Sequence, residues 1–367
     1  MTTMDGSSHE LHLGPLIDGE RVNVRRIAYD FMRNITEVET TSGRSIEIDM
    51  PQPGQDPPIE GRPIVYLDQN HWSTLSNQLH EPAKVPQEEK AAAQKIIAMA
   101  RNGEVIIPFS SGHFLETSAL YGARRMNLGS TIIQISHGWR MRHPVRVRMN
   151  EIRMVLTKNV DDPKEVEEGS HVFTLDATAL MHQTKPPVNV DGFGILAFLV
   201  EQLSTTQAHY DILLDPDPIE RVRDSGWEDH LRSISRDPEW RSYSKERRRK
   251  ESKRFALADA AREIAEVAAT NQLNMPPEEI MEILEKSLAS MPFAGLYADV
   301  LYSRLSQFEA KWESNDLIDM LYLTSATAYA DIVVGEKAAK NYISAAWNAR
   351  QGVCPIVKTL ADAADRL

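Results

Sequence analysis

Five carboxylates stand where an α/β chain can put them to use. Asp68 directly follows the apolar run Ile64-Val65-Tyr66-Leu67 in VYLDQNHW, and Glu116 lies in IIPFSSGHFLET. Asp316 and Asp319 open the segment SNDLIDMLYLTSATAYADIVVGEK, and Glu336 stands near its end, after the apolar run Ile332-Val333-Val334. Side chains just beyond the carboxyl ends of parallel strands line the crevice where open sheets bind ligands. Asp316 and Asp319 are three apart, which places them on one face of a first helical turn, where the macrodipole favours negative charge. Carboxylates gathered at one edge repel one another unless cations neutralise them. An all-oxygen donor set without thiolates or paired imidazoles selects a hard ion, Mg²⁺ or Mn²⁺. Plain structural alternatives exist: Asp68 and Asp316 suit helix caps, and Glu116 suits a solvated helix position. Asp319, in a mostly apolar helix, is the least readily explained that way.

The elements that must position these residues follow from the pattern of the chain. Residues 1–50 read as a β-rich appendage, with turn signals at Asp18-Gly19 and Ser42-Gly43 and with Ile46, Ile48 and Met50 alternating with Glu47 and Asp49. Residues 51–63 hold five prolines and two glycines and read as a linker. From 64 to 150 strand and helix alternate: a strand at 64–67, a helix at 87–101 stopped by Gly103, a buried strand at 105–107 and a helix at 113–125. The alternation returns over 313–367, with a helix to Tyr329, a strand at 332–334, a helix at 337–346 and a strand at 355–357. Such an order predicts a doubly wound parallel sheet, because parallel neighbours need crossover helices. Residues 151–312 lack comparable strands and read as a helical insertion that splits the α/β core.

In this order the residues resemble PIN-domain ribonucleases: a strand ending at Asp68, a helix carrying Glu116, Asn315-Asp316…Asp319 on a long apolar helix, and a strand running into Val334-Gly335-Glu336-Lys337. The resemblance covers residues 64–128 and 314–360. It implies a PIN-like three-layer α/β/α sandwich, interrupted by the large helical insertion and preceded by the small N-terminal β-appendage. It further implies divalent-metal-dependent hydrolysis of RNA. Asp68 matches the first acidic position, Glu116 the second and Asp319 the third, with Asp316 competing for that place. Glu336 falls near the last, for which Asp331 is the other choice. Gly335 stands where the family usually has Thr or Ser. Two readings compete: a degenerate PIN scaffold that binds RNA or a protein without cleaving, and an aspartate-based phosphatase. The phosphatase mechanism wants a second Asp two residues beyond the first, where this chain has Asn70.

Charge bears on how an acidic protein would hold RNA. The formal balance over 367 residues is −12, yet the window 232–254 carries ten basic residues against four acidic ones. Within it, Arg247, Arg248, Arg249 and Lys250 form the densest run. A second basic window holds Arg140, Arg142, Arg146 and Arg148 beside Trp139. Both windows are candidate phosphate-binding surfaces, with Trp139 and Trp240 as candidate stacking residues, and both are equally readable as solvated faces. His71, His113, His137 and His143 lack metal-ligand spacing and read as structural. The single cysteine, Cys354, excludes disulfide frameworks and thiolate metal centres. The longest apolar run, Ile195 to Val200, is far short of the ~18 residues of a membrane span. With no basic-then-apolar signal at the N-terminus, the expectation is a cytoplasmic protein without membrane association. An inhibitory protein partner and self-association are both compatible with this reading.

Overall fold

The computed structural model describes residues 23–52, 59–157, 171–182, 194–219, 226–309, 312, 316–335, 337–350, 352 and 354–367. The Asp18-Gly19 turn, residues 53–58 of the proline-rich linker, Asn315 and Glu336 lie outside them. The chain is a mostly helical α/β protein with short parallel strands and a small N-terminal antiparallel sheet. No helix among the described residues is long and apolar enough to cross a membrane. Two compact units form: residues 1–142, 173–221 and 359–367, and residues 143–172 and 222–358.

The first unit begins with the antiparallel sheet β1 (Val24–Asp30), β2 (Ile35–Thr40) and β3 (Ser45–Asp49). Alternation places Thr36, Val38, Ile46 and Ile48 on its buried face. Gly43 turns the β2–β3 hairpin at φ +80°, a conformation that favours glycine. There follow β4 (Val65–Leu67), α1 (Gln69–His80), α2 (Gln87–Arg101), α3 (Ser111–Ser118) and α4 (Gly122–Ser136). A two-residue pair, β5 (Arg140–Met141) and β6 (Phe173–Thr174), then leads to α6 (Gly194–Leu214), and α15 (Leu360–Ala364) closes the unit. The sheet is tied down at two points. Asp211 of α6 accepts from the Asn23 and Val24 amides at 2.8 and 2.7 Å, and the Asp49 amide donates to the His137 carbonyl at 3.0 Å.

Two expectations for this unit need correction. Residues 105–107 are buried but form no regular strand: Ile106 bridges Ile64 and Phe109 bridges Arg140, each in parallel. Pro108 stands between the bridges and has no N–H to continue a ladder. The helix expected over 113–125 is two helices. The chain breaks between α3 and α4 at Gly122, φ +59°, and the loop before residue 220 satisfies the freed groups. There the Gly122 amide donates to Pro216 O at 2.7 Å and the Ile219 amide to Ser118 O at 2.8 Å.

The second unit comprises α5 (Pro144–Thr157), α7 (Trp227–Arg236), α8 (Pro238–Ser242), α9 (Lys245–Asp259), α10 (Ala261–Thr270), α11 (Pro277–Ser287) and α12 (Pro292–Leu305). Then come α13 (Asp316–Tyr329), β7 (Ile332–Val334), α14 (Lys337–Ala349) and β8 (Ile356–Val357). The strands β7 and β8 pair in parallel, as their β-branched, fully apolar sequences suggest. The helices α9 and α10 meet at a break on buried Ala260.

α12 supplies the core of this unit, with Phe293, Leu296, Tyr297, Val300, Leu301 and Leu305 all buried. Its N-terminal amides are satisfied from α5. The buried Glu151 carboxylate accepts from Phe293 N at 2.7 Å, from Ala294 N at 2.8 Å and from Tyr329 Oη at 2.5 Å. One turn earlier, Arg148 pairs with Asp259 at 2.8 Å and with Glu263. Burial pushes the Glu151 carboxyl above its ordinary range, against the pull of those three donors. Glu151→Gln, which turns an amide NH₂ toward a helix amide, should therefore cost about 2–3 kcal/mol in urea unfolding. Tyr329→Phe, which removes one donor, should cost about 1 kcal/mol. Equal stability of Glu151→Gln and the parent chain would show that the cap does not hold α12.

Candidate active site

Asp68 occupies the turn from β4 into α1. Every residue of β4 is buried, so the chain is fixed up to Leu67, and Asp68 is the first residue to reach partial exposure. Its extended backbone makes it the N-cap of α1, and Oδ1 accepts from the Gln69 amide at 2.7 Å. Glu116 lies on α3, half-buried, between exposed Leu115 and buried Thr117.

The structure brings these two carboxylates to one junction through their neighbours. Gln69 Nε2 donates to Thr117 Oγ1 at 3.0 Å, linking the residue after Asp68 to the residue after Glu116. Tyr66 and Ser110 share a buried hydroxyl–hydroxyl hydrogen bond at 3.0 Å. Between them lies His113, whose ring stacks on Tyr66 with centroids 5.0 Å apart and meets Trp72 edge-on at 6.0 Å. His113 Nδ1 accepts from the Ser110 amide at 3.1 Å, closing a capping box at the start of α3, and the ring donates to the Leu67 carbonyl. Both ring nitrogens are therefore committed with one proton between them. Burial pushes the imidazole down to about 3, so it is neutral. Sequence reasoning gave His113 no more than a general structural role. Ser110 is three residues away, but Leu67, Tyr66 and Trp72 stand more than forty positions off along the chain, beyond the reach of any local pattern.

The remaining acidic candidates belong to the second unit. Asp316 and Asp319 share the first turn of α13, as their spacing predicts. Asp316 Oδ2 accepts from the Arg304 guanidinium at 2.7 Å, a largely desolvated ion pair. Asp319 is half-buried one turn along. Asp331, at the start of the following strand region, is exposed, and Glu336 is outside the described residues. Among the described residues no group of three or more His, Cys, Asp or Glu side chains is arranged to hold a metal ion. The donors that are present, all carboxylate oxygens, fit a hard divalent cation in kind.

The basic windows part company. Arg140 is fully buried, and its guanidinium donates to the Gly138 and Leu175 carbonyls at 2.8 and 2.9 Å and lies 5.5 Å from the Phe109 ring centroid. Arg142 is buried 3.7 Å from Asp176, and Arg148 is consumed by its pairs with Asp259 and Glu263. Only Arg146 of that window is even half-exposed. Arg140, Arg142 and Arg148 are internal braces, which corrects the expectation that they belong to a phosphate-binding surface. Trp139 and Trp240 are likewise buried and present no face for stacking. By contrast, Arg247, Arg249 and Lys250 are exposed on α9, with Arg248 half-exposed.

Comparison of the chain with known protein families, curated proteins and solved structures finds no match.

Three histidines of the first unit, His113 buried and His71 and His209 half-buried, set a pH limit. Burial pushes His71 down to about 4 and His209 to about 3, as it does His113. All three stay neutral when folded but take up protons near pH 6.5 when unfolded. Their contribution to stability is thus whole above pH 6.5 and lost as pH falls toward 4. His209 packs edge-on against Phe114 at 5.5 Å, and its Nδ1 makes no hydrogen bond among the described residues. His209→Phe should remove one proton from this balance and flatten the acid-side loss by about 1.4 kcal/mol per pH unit. Urea unfolding at pH 5 and pH 7 reads the difference; a variant with the parent's pH slope would show His209 protonated in the fold.

Proposed function

We propose that this chain is a divalent-metal-dependent ribonuclease of the PIN type, with Asp68, Glu116, Asp319 and Glu336 as its acidic set and RNA as substrate. The observation that carries this reading is the junction of β4, α1 and α3. Two carboxylates that match the family's first and second acidic positions emerge from segments joined by the Gln69–Thr117 bond and the His113 ring. The finer three-layer PIN architecture is part of the same proposal. Asp319 is preferred to Asp316 for the third position because it is the residue that matches the family's third acidic position, whereas Asp316 suits a helix cap.

Mg²⁺ or Mn²⁺, when bound, supplies activation of water and stabilisation of charge on the phosphate and the leaving oxygen. The protein's part is to hold carboxylate oxygens in place before substrate arrives. For Asp68 this is done by the Gln69 amide and a buried strand behind it. For Glu116 it is done by α3, whose first turn is closed by Ser110 and His113. A neutral His113 suits this position, because an imidazolium there would surrender the Ser110 amide bond.

Asp68 has two separable roles, cap and ligand, and substitutions distinguish them. Asparagine caps helices as well as aspartate does, whereas alanine loses about 1 kcal/mol. Asp68→Asn should therefore keep the parent's thermal stability in EDTA within the error of the measurement, and Asp68→Ala should melt lower. Both should lose the stabilisation by Mn²⁺ that ligand binding to the folded state produces. Turnover of a mixed RNA pool should fall to about a hundredth or less in Asp68→Asn, Glu116→Gln and Asp319→Asn. Undiminished cleavage by purified Asp68→Asn would refute the assignment.

A further inference from the structure

The basic run on α9 is not a uniform surface. Arg247 stacks on Tyr243, with its guanidinium carbon 3.7 Å from the ring centroid, and reaches toward Glu239; Arg248 lies over Phe308 at 5.2 Å. These two turn to the α8 side. The residues on the other face line an open cavity of about 640 Å³ within the second unit, bounded by α9, α11 and α12. Its cationic lining is Lys245, Arg249, Lys250, Lys253 and Lys286, with Tyr302 of α12 alongside. Lys245, Arg249 and Lys253 recur every fourth residue, so they form one stripe with about 6 Å of axial rise between successive members.

The carboxylates of the cavity are partly spoken for. Glu282 pairs with Lys286 at 2.6 Å, and Glu285 lies 4.0 Å from Arg254. Glu246 stands in the first turn of α9, held below its ordinary range chiefly by a hydrogen bond to its own backbone amide. Among the described residues, Lys245, Arg249, Lys250 and Lys253 form no ion pair within 4.0 Å. Lys245 and Arg249 share the field of Glu246, and the four cations stand on two adjacent helical rows.

The cavity also continues. A second recess of about 310 Å³ shares Arg249, Lys253 and Tyr302 with it and runs on past Leu288, Ala289 and Ala346. The combined cleft is too long for a single phosphate, and its two parts differ in character: a cationic row, then a mixed wall in which small apolar side chains stand beside Ser303 and the Asp299–Arg350 ion pair at 3.2 Å. Tyr302 stands where they meet, with Arg249 over its ring at 5.2 Å. Repeating negative charge beside flat apolar groups is the chemistry of a single nucleic-acid strand, whose backbone follows cations while bases seek aromatic and apolar faces.

We propose that this α9–α11–α12 cleft binds the sugar–phosphate backbone of single-stranded RNA, through Lys245, Arg249, Lys250 and Lys253, with Tyr302 receiving a base. The inference deepens the ribonuclease reading by naming where its substrate is held, and it assigns no substrate contact to Arg247 or Arg248. It is tested on the full chain in EDTA, with a short fluorescein-labelled single-stranded RNA followed by anisotropy across a salt series. Arg249→Gln with Lys253→Gln should weaken binding about tenfold or more and flatten the log–log salt slope by about 1.4, the loss of two phosphate contacts. Arg247→Gln with Arg248→Gln should leave affinity and slope at the parent's values, with circular dichroism confirming both folds. Unchanged affinity and slope in the Arg249/Lys253 variant would overturn the proposal, as would an equal loss in the Arg247/Arg248 variant. Displacement of the RNA by poly-glutamate as effectively as by unlabelled RNA would also overturn it, in favour of an acidic protein partner. Asp68→Asn should bind as the parent does. A chain that binds RNA in this cleft yet cleaves none would thus sink the hydrolase reading and leave the cleft standing.

Discussion

A single neutral imidazole connects the two segments of the first unit that carry Asp68 and Glu116. His113 takes the Ser110 amide, gives its proton to the Leu67 carbonyl and fills the space between Tyr66 and Trp72. Leu67 is the last residue before Asp68, and Ser110 is the cap of the helix that bears Glu116. The positions of both carboxylates therefore rest on one buried side chain that itself contacts no solvent. Its neutrality is a condition of the arrangement, since a ring that must accept one hydrogen bond and donate another has no place for a second proton. A buried polar group of this kind is costly when half-satisfied and rigidifying when fully satisfied. The Gln69–Thr117 bond and the Tyr66–Ser110 pair extend the same network on either side.

The second unit solves a different problem by related means. α12 is apolar over most of its surface and begins in the interior, where its first amides cannot reach water. Glu151 supplies both acceptors from α5, and the neighbouring Arg148 binds α9 and α10 through Asp259 and Glu263. Charge is thus spent inside the fold as well as on it. Three arginines of the basic stretch around residue 140 belong to this interior: Arg140, Arg142 and Arg148 are the counterweights of buried carbonyls and carboxylates. The cations of α9, by contrast, are exposed or half-exposed, and the nearby Glu282 and Glu285 lie against Lys286 and Arg254.

Much of the candidate site was legible in the sequence. An aspartate at the end of an apolar run, a glutamate after the next buried segment and two aspartates at a helix start are local patterns. The structure places Asp68 at the end of β4, Glu116 on α3, and Asp316 and Asp319 in the first turn of α13. The small antiparallel sheet, the helices of the insertion and the pairing of β7 with β8 follow from periodicity in the same way. Where the element reading failed, a local backbone feature was the cause each time: Pro108 reduced a strand to two bridges and Gly122 divided a helix.

Composition and spacing alone determined which residue types were present for chemistry, that oxygen donors rather than thiolates were at hand, and roughly where each element begins. Burial was decided only by tertiary structure. Nothing local separates Arg148, neutralised by Asp259 and Glu263 from more than a hundred positions away, from Arg249, which faces an open cleft. The same holds for His113, whose spacing excludes a metal role but does not reveal the ring that joins β4 to α3. Local sequence sets the conformational preferences of short segments, whereas desolvation and pairing depend on what lies opposite in space, and that is known only once the chain has closed on itself.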